Sequence, residues 1–83
     1  MIDINATSPV PFRLSETMTF GKAIMEVLDG GRIHKLEWED KEYYGFLDNA
    51  VLTIHKPDGK VFVWMVSEGD IVGNDWIVLP RSN

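Results

Sequence analysis

Residues 19–38, TFGKAIMEVLDGGRIHKLEW, contain the change of period that decides the fold. Phe20, Ala23, Ile24, Val27 and Leu28 recur at the spacing of one apolar helical stripe, while Lys22, Glu26 and Asp29 fall on the opposite face. Thr19 stands before the stripe as an N-cap, and Gly30-Gly31 ends it, because glycine takes the left-handed position after a helix at little steric cost. The pattern predicts a helix of about ten residues. From Arg32 the period drops to two. Arg32 to Trp38 is predicted as a strand with His34, Leu36 and Trp38 on one face and Ile33, Lys35 and Glu37 on the other.

Beyond this stretch the two-residue period continues. Glu39-Asp40-Lys41 is predicted as a turn and Tyr43 to Leu47 as a second strand, in which Gly45 marks a bulge or a close approach. A turn at Asp48-Asn49 leads to a third strand, Val51 to Lys56. Pro57-Asp58-Gly59-Lys60 is a strong hairpin signal. Val61 to Met65 follows as a fourth strand with Phe62 and Trp64 on one face. Ser67 with Asp70 three residues on resembles a capping box, which predicts one helical turn or a tight loop. Gly73-Asn74 turns the chain into a last short strand, Asp75 to Leu79, ended by Pro80. The order predicts an α+β fold in which one N-terminal helix packs on a four- to five-stranded antiparallel meander sheet. Upstream, Pro9 and Pro11 oppose a helix, so residues 1–17 are expected to form an extended or disordered arm, with residues 18–83 as a single domain.

A chain of 83 residues makes one small domain. Such a domain buries only about 60% of the surface its unfolded chain exposes, so its core needs reinforcement. With no cysteine, neither a disulfide nor a Cys-based zinc site can supply it. Three Trp, four Phe and two Tyr supply dense aromatic packing instead. One helix covers one face of a sheet, and a second copy of the chain is the simplest cover for the other. The net charge is −5 and the basic residues are scattered singly, which argues against binding along DNA or RNA. A small anion is still admissible, because free N–H groups at a helix N-terminus hold phosphate without net positive charge. No apolar run approaches the roughly 18 residues of a membrane span. Met1 to Asn5 lacks a basic region followed by an apolar stretch, so the expected location is cytoplasmic.

Catalytic patterns are missing. His34 and His55 have no His or Cys partner at ligand spacing, and no metal or cofactor is expected. Ser67, His55 and Asp70 make a triad only on paper, since no nucleophile elbow accompanies them. There is neither a Walker loop nor a GxGxxG. Glu37, Glu39, Asp40 and Glu42 are a solvated hairpin tip. Composition and motifs thus point to a binding protein, not an enzyme.

Three segments carry a family resemblance: Met18-Thr19-Phe20-Gly21-Lys22-Ala23 at the helix start, Gly31-Arg32 followed by Trp38, and the run from Asp58-Gly59-Lys60 through Trp64-Met65-Val66-Ser67-Glu68-Gly69-Asp70 to Asn74-Asp75-Trp76. In this order they resemble the phage Thoeris anti-defence sponge family, second type, from residue 18 to about 79. Val63 and Val66 stand where that family commonly has Pro, Glu68 where it has Gln, and Glu37 where it has Gly. The segment between Tyr44 and Asp58 is shorter than in many members, so the departures fall in loops expected to line a pocket.

The resemblance implies a homo-oligomer, typically a tetramer, that binds cyclic ADP-ribose-type or other cyclic nucleotide signals between subunits and sequesters them without cleavage in the cytoplasm of a phage-infected host. It implies Trp38 and Trp64 as pocket tryptophans, since a purine needs a flat partner. Phe20 is either core or pocket lining. The N–H groups of Phe20, Gly21 and Lys22 are candidate phosphate donors at the helix N-terminus, with Gly21 allowing close approach. Ser67 is a candidate donor to a ribose or phosphate oxygen. Asp70 either accepts from a ribose hydroxyl or braces its loop. Arg32 is the candidate fixed cation, Asp75 is expected to tie a turn to the sheet, and Trp76 is expected in the core. The alternatives are a protein-binding inhibitor of a host defence protein, for example a CRISPR nuclease, acting through an acidic surface, and a structural phage protein without a ligand.

Overall fold

A computed structural model describes residues 17–81. The expected N-terminal arm lies, but for Thr17, outside the described residues. The elements run α1 (Phe20–Leu28), β1 (Arg32–Lys35), β2 (Tyr44–Asp48), β3 (Val51–His55), β4 (Val61–Val63), α2 (Glu68–Val72) and β5 (Trp76–Leu79). The sheet order is β4-β3-β2-β1-β5, antiparallel throughout. Strands β1 to β4 form the expected meander. The last strand crosses back instead of extending it, and pairs with β1 from Arg32↔Leu79 to Lys35↔Trp76.

Helix α1 begins and ends as its sequence dictates. Thr19 Oγ1 accepts from the Lys22 N–H at 3.3 Å. At the other end Gly31 N–H donates to Glu26 O at 2.8 Å and Gly30 N–H to Val27 O at 2.9 Å, with Gly30 at φ +98°. This is a Schellman closure, which needs a left-handed residue where Gly30 stands. The buried stripe of α1, Ala23 and Val27, packs on Ile33 of β1 and Trp76 of β5, in a core completed by Ile54 and Trp64.

Pleat alternation and register place Ile33, Lys35, Gly45, Leu47, Leu52, Ile54, Phe62, Trp76 and Val78 on the helix side of the sheet. Arg32, Tyr44, Phe46, Thr53, His55, Val61 and Val63 face the other way, where no described helix lies. Helix α1 packs on β1, β5 and β2. The β3–β4 part of the helix-side face is therefore left for other groups to line.

Two strands stop two or more residues earlier than their period suggests. The first ends at Lys35 instead of Trp38. Leu36 N–H still reaches Asp75 O at 3.0 Å, but Asp75 Oδ2 then accepts the Glu37 N–H at 3.2 Å and Trp38 N–H closes a turn on Lys35 O at 2.8 Å. Asp75 thus ties this turn to β5. The fourth strand ends at Val63. Trp64 N–H makes one further bond to Leu52 O at 3.0 Å before the chain departs towards α2. At Ser67 both halves of the capping box form, with Ser67 Oγ accepting from Asp70 N–H at 3.1 Å and Asp70 Oδ2 accepting from Ser67 N–H at 3.0 Å.

Candidate functional site

The bare half of the helix-side face carries a cavity of about 400 Å³. Ile54 of β3 and Phe62 and Val63 of β4 come from the sheet; Trp38 and Tyr43 from the β1–β2 connection; Trp64, Met65, Ser67 and Asp70 from the segment entering α2. Lys56, one residue past β3, completes the lining. That volume lies near the lower end of small-molecule sites, at roughly 300–1,000 Å³.

The early end of β1 sets the position of Trp38. Released from the strand, its indole stacks on Tyr43 with centroids 4.5 Å apart and planes 18° from parallel, and meets Trp76 at 5.2 Å, edge to face. Trp38 remains partly exposed. Trp64 is only 7% exposed, and its ring lies on the backbone of Gly45, edge-on to Phe20 at 5.9 Å. Gly45 is thus a close-approach position. Trp64 Nε1 donates to Asp70 Oδ2 at 3.3 Å, and Trp76 Nε1 to Asp70 O at 3.0 Å. Asp70 therefore braces the loop and both indoles at once.

Of the residues singled out from the sequence, the fold brings Trp38, Trp64, Ser67 and Asp70 together. Phe20 packs behind them on Trp64 and Trp76, at 5.9 and 5.3 Å. Gly21 and Arg32 are not in the lining. Gly21 is exposed, a β-carbon there would meet nothing within 4 Å, and the neighbouring Lys22 N–H is already taken by its cap. Arg32 lies on the other face of the sheet, with its guanidinium 5.0 Å from the Tyr44 ring centroid and donating to Pro80 O. His55 is also on that face, stacked on Tyr44 at 4.5 Å, so it is separated by the sheet from Ser67 and Asp70. Among the described residues no three His, Asp or Glu side chains converge on a common point.

Sequence reasoning missed Tyr43, Lys56 and Phe62. For Lys56 a signal existed: it continues the alternation Leu52, Ile54, Lys56 on the helix side. Lys56 Nζ stands 5.8 Å from the Tyr43 centroid and 5.4 Å from that of Phe62.

The turn that delivers Trp38 is locked by charge. Lys35 is buried, and its Nζ reaches Asp75 Oδ1 at 2.7 Å and Glu37 Oε1 at 3.3 Å. Burial alone would lower the Lys35 pKa, but these two carboxylates outweigh it and hold the ammonium above its ordinary 10.5. Burial likewise opposes ionisation of Asp75, and the hydrogen bond from Lys35, with the Glu37 N–H, holds the carboxyl below 3.8.

The family model for Tad2-like, the Thoeris anti-defense 2-like domain, matches residues 18–79. The chain belongs to the Thoeris anti-defence 2-like family. No curated protein matches the sequence. As a Thoeris anti-defence 2-like domain, the chain has every pocket-lining residue, from Trp38 to Asp70, inside the matched span.

Proposed function

We propose that the protein binds and sequesters a cyclic ADP-ribose-type or other cyclic nucleotide signal without cleaving it, as a homo-oligomeric phage anti-defence sponge in the host cytoplasm. The observation that carries this reading is the composition of the cavity. Trp38, Tyr43, Phe62 and Trp64 supply aromatic walls, while Lys56, Ser67 and Asp70 supply one cation, one hydroxyl and one carboxylate. A purine stacked on an aromatic side chain gains about 1–3 kcal/mol. The polar groups match the phosphate and ribose of the same ligand. Family membership supports the anti-defence role.

The sheet's second face supports the homo-oligomer. Val61 and Val63 are 48% and 63% exposed beside His55 and Thr53, on an edge strand of three residues. Covering them with a second copy removes apolar surface from water and protects the strand edge. The inhibitor reading requires carboxylates gathered on one face, whereas among the described residues several sit at separate corners: Asp29 after α1, Glu39 to Glu42 before β2, Asp48 at the end of β2 and Asp58 at the β3–β4 turn.

The test is a thermal-shift panel of cyclic ADP-ribose isomers and cyclic oligonucleotides, followed by denaturation of the complex. A raised Tm with one class and recovery of that ligand intact is the expected result. Recovery of a cleaved product, or no shift with any nucleotide, contradicts the proposal.

A further inference from the structure

We infer that Lys56 is the anion contact of the pocket, the residue that makes it select a phosphate-bearing ligand over an uncharged nucleoside. The inference rests on the pocket reading above and adds to it a residue that neither composition nor motif singled out.

Electrostatics leaves few candidates. The chain carries a net charge of −5, so its overall field repels an anion and a local cation must offset that. Arg32 is on the far face of the sheet. Lys35 is committed to Asp75 and Glu37. Lys22 is exposed on α1, and Lys60 belongs to the tip of the β3–β4 hairpin. Among the described residues Lys56 is the one cationic residue in the pocket lining.

Its surroundings suit the task. The backbone of Lys56 is pinned at the hairpin, its N–H donating to Lys60 O at 2.9 Å and its carbonyl accepting from Gly59 N–H at 2.8 Å. The half-buried side chain runs past Tyr43 and Phe62, which hold the ammonium by cation–π attraction. Among the described residues Lys56 makes no ion pair. Asp70, the carboxylate of the same pocket, spends Oδ2 on Trp64 Nε1 and Ser67 N–H. An ammonium positioned by aromatic rings and without a carboxylate partner is a ready donor for a phosphate oxygen, and charge-assisted bonds of this kind are the strong ones. A second depression of about 330 Å³, lined by Asp48, Thr53, Val61 and Val63 among others, has a carboxylate and, among the described residues, no cation in its lining, so an anion is directed to the first.

The experiment uses the full chain with two probes, inorganic pyrophosphate and cyclic ADP-ribose, on wild type, Lys56→Gln and Lys56→Arg. Pyrophosphate at millimolar concentration is expected to move the amide resonances of Lys56, Tyr43 and Phe62, and to lose that effect in Lys56→Gln. Cyclic ADP-ribose is expected to bind Lys56→Gln about tenfold more weakly, with a reduced salt dependence, and Lys56→Arg within a few fold of wild type. Unchanged thermal unfolding of Lys56→Gln would show that the loss is not a folding defect. Equal affinity and equal salt dependence in wild type and Lys56→Gln overturn the inference while leaving sequestration standing. Pyrophosphate shifts at Lys56 without any nucleotide binding support the anion contact and overturn the sponge reading.

Discussion

The indole of Trp64 occupies the space where residue 45 would carry a β-carbon: built on Gly45, that atom would lie 2.7 Å from Cε3 and closer still to Cζ3. The base of the pocket is thus set by a missing side chain on β2. Gly45→Ala must push Trp64 outward, which strains its bond to Asp70 and the wall it gives the cavity. A loss of about 1–3 kcal/mol is expected from such overpacking. Chemical denaturation measures it, and the Trp64 displacement should also change the intrinsic fluorescence of the folded protein. An unchanged midpoint and spectrum would show that the contact is not needed.

The β2–β3 turn holds two residues at positive φ, Asn49 at 50° and Ala50 at 66°. Paired positive angles are the signature of a type I′ hairpin, whose right-handed twist suits the strands but whose second position favours glycine. Alanine there carries a left-handed penalty of about 1–2 kcal/mol, partly offset by the entropy glycine would lose on folding. Ala50→Gly is therefore expected to raise stability by about 1 kcal/mol, or ~4–8 °C in Tm for a domain of this size. A lower Tm would contradict this account of the turn.

Lys35 and Asp75 make the stability pH-dependent at both ends. Asp75 has its folded pKa held below the ordinary 3.8, so its contribution is complete above that value and fades as pH falls through the folded one. Lys35 is held above 10.5, so its contribution is complete below that value and fades as pH rises through the folded one. Asp75→Asn should lower the plateau between these limits and flatten the acid limb. Melting curves from pH 2 to 8 on both proteins test this, and parallel acid limbs would contradict it.

Trp38 and Trp64 should respond differently to truncation. Trp64 is a core residue as well as a wall, so Trp64→Ala is expected to cost about 3–5 kcal/mol and to reduce the fraction folded. Trp38 is partly exposed and stands on a turn, so Trp38→Ala should leave the fold cooperative while removing ligand binding. Binding by a folded Trp38→Ala protein with unchanged affinity would remove Trp38 from the site.

The helix, its caps and the hairpins were legible because each is a local signal: the stripe from Phe20 to Leu28, the Gly30 stop, the Asp58-Gly59 turn and the Ser67–Asp70 box. The return of β5 to β1 was not, since antiparallel strands of similar composition do not announce their partners. The period of Trp38 fits a strand, and what ends the strand is Asp75, a residue 37 positions from Trp38 in sequence that takes the Glu37 N–H. Which basic residue faces the pocket is hidden for the same reason. Arg32 and Lys56 are both single basic residues at strand ends, and only the register shows which one shares a face with Trp64.

The central claim is that the ligand enters the cavity on the helix side of β3 and β4. The most direct test maps ligand-induced shifts by NMR on the full chain with saturating cyclic ADP-ribose. The account predicts shifts of the Trp38 indole N–H and of the Tyr43, Lys56, Phe62 and Ser67 amides. Shifts confined to Arg32, Tyr44, Phe46 and His55 on the opposite face would contradict it.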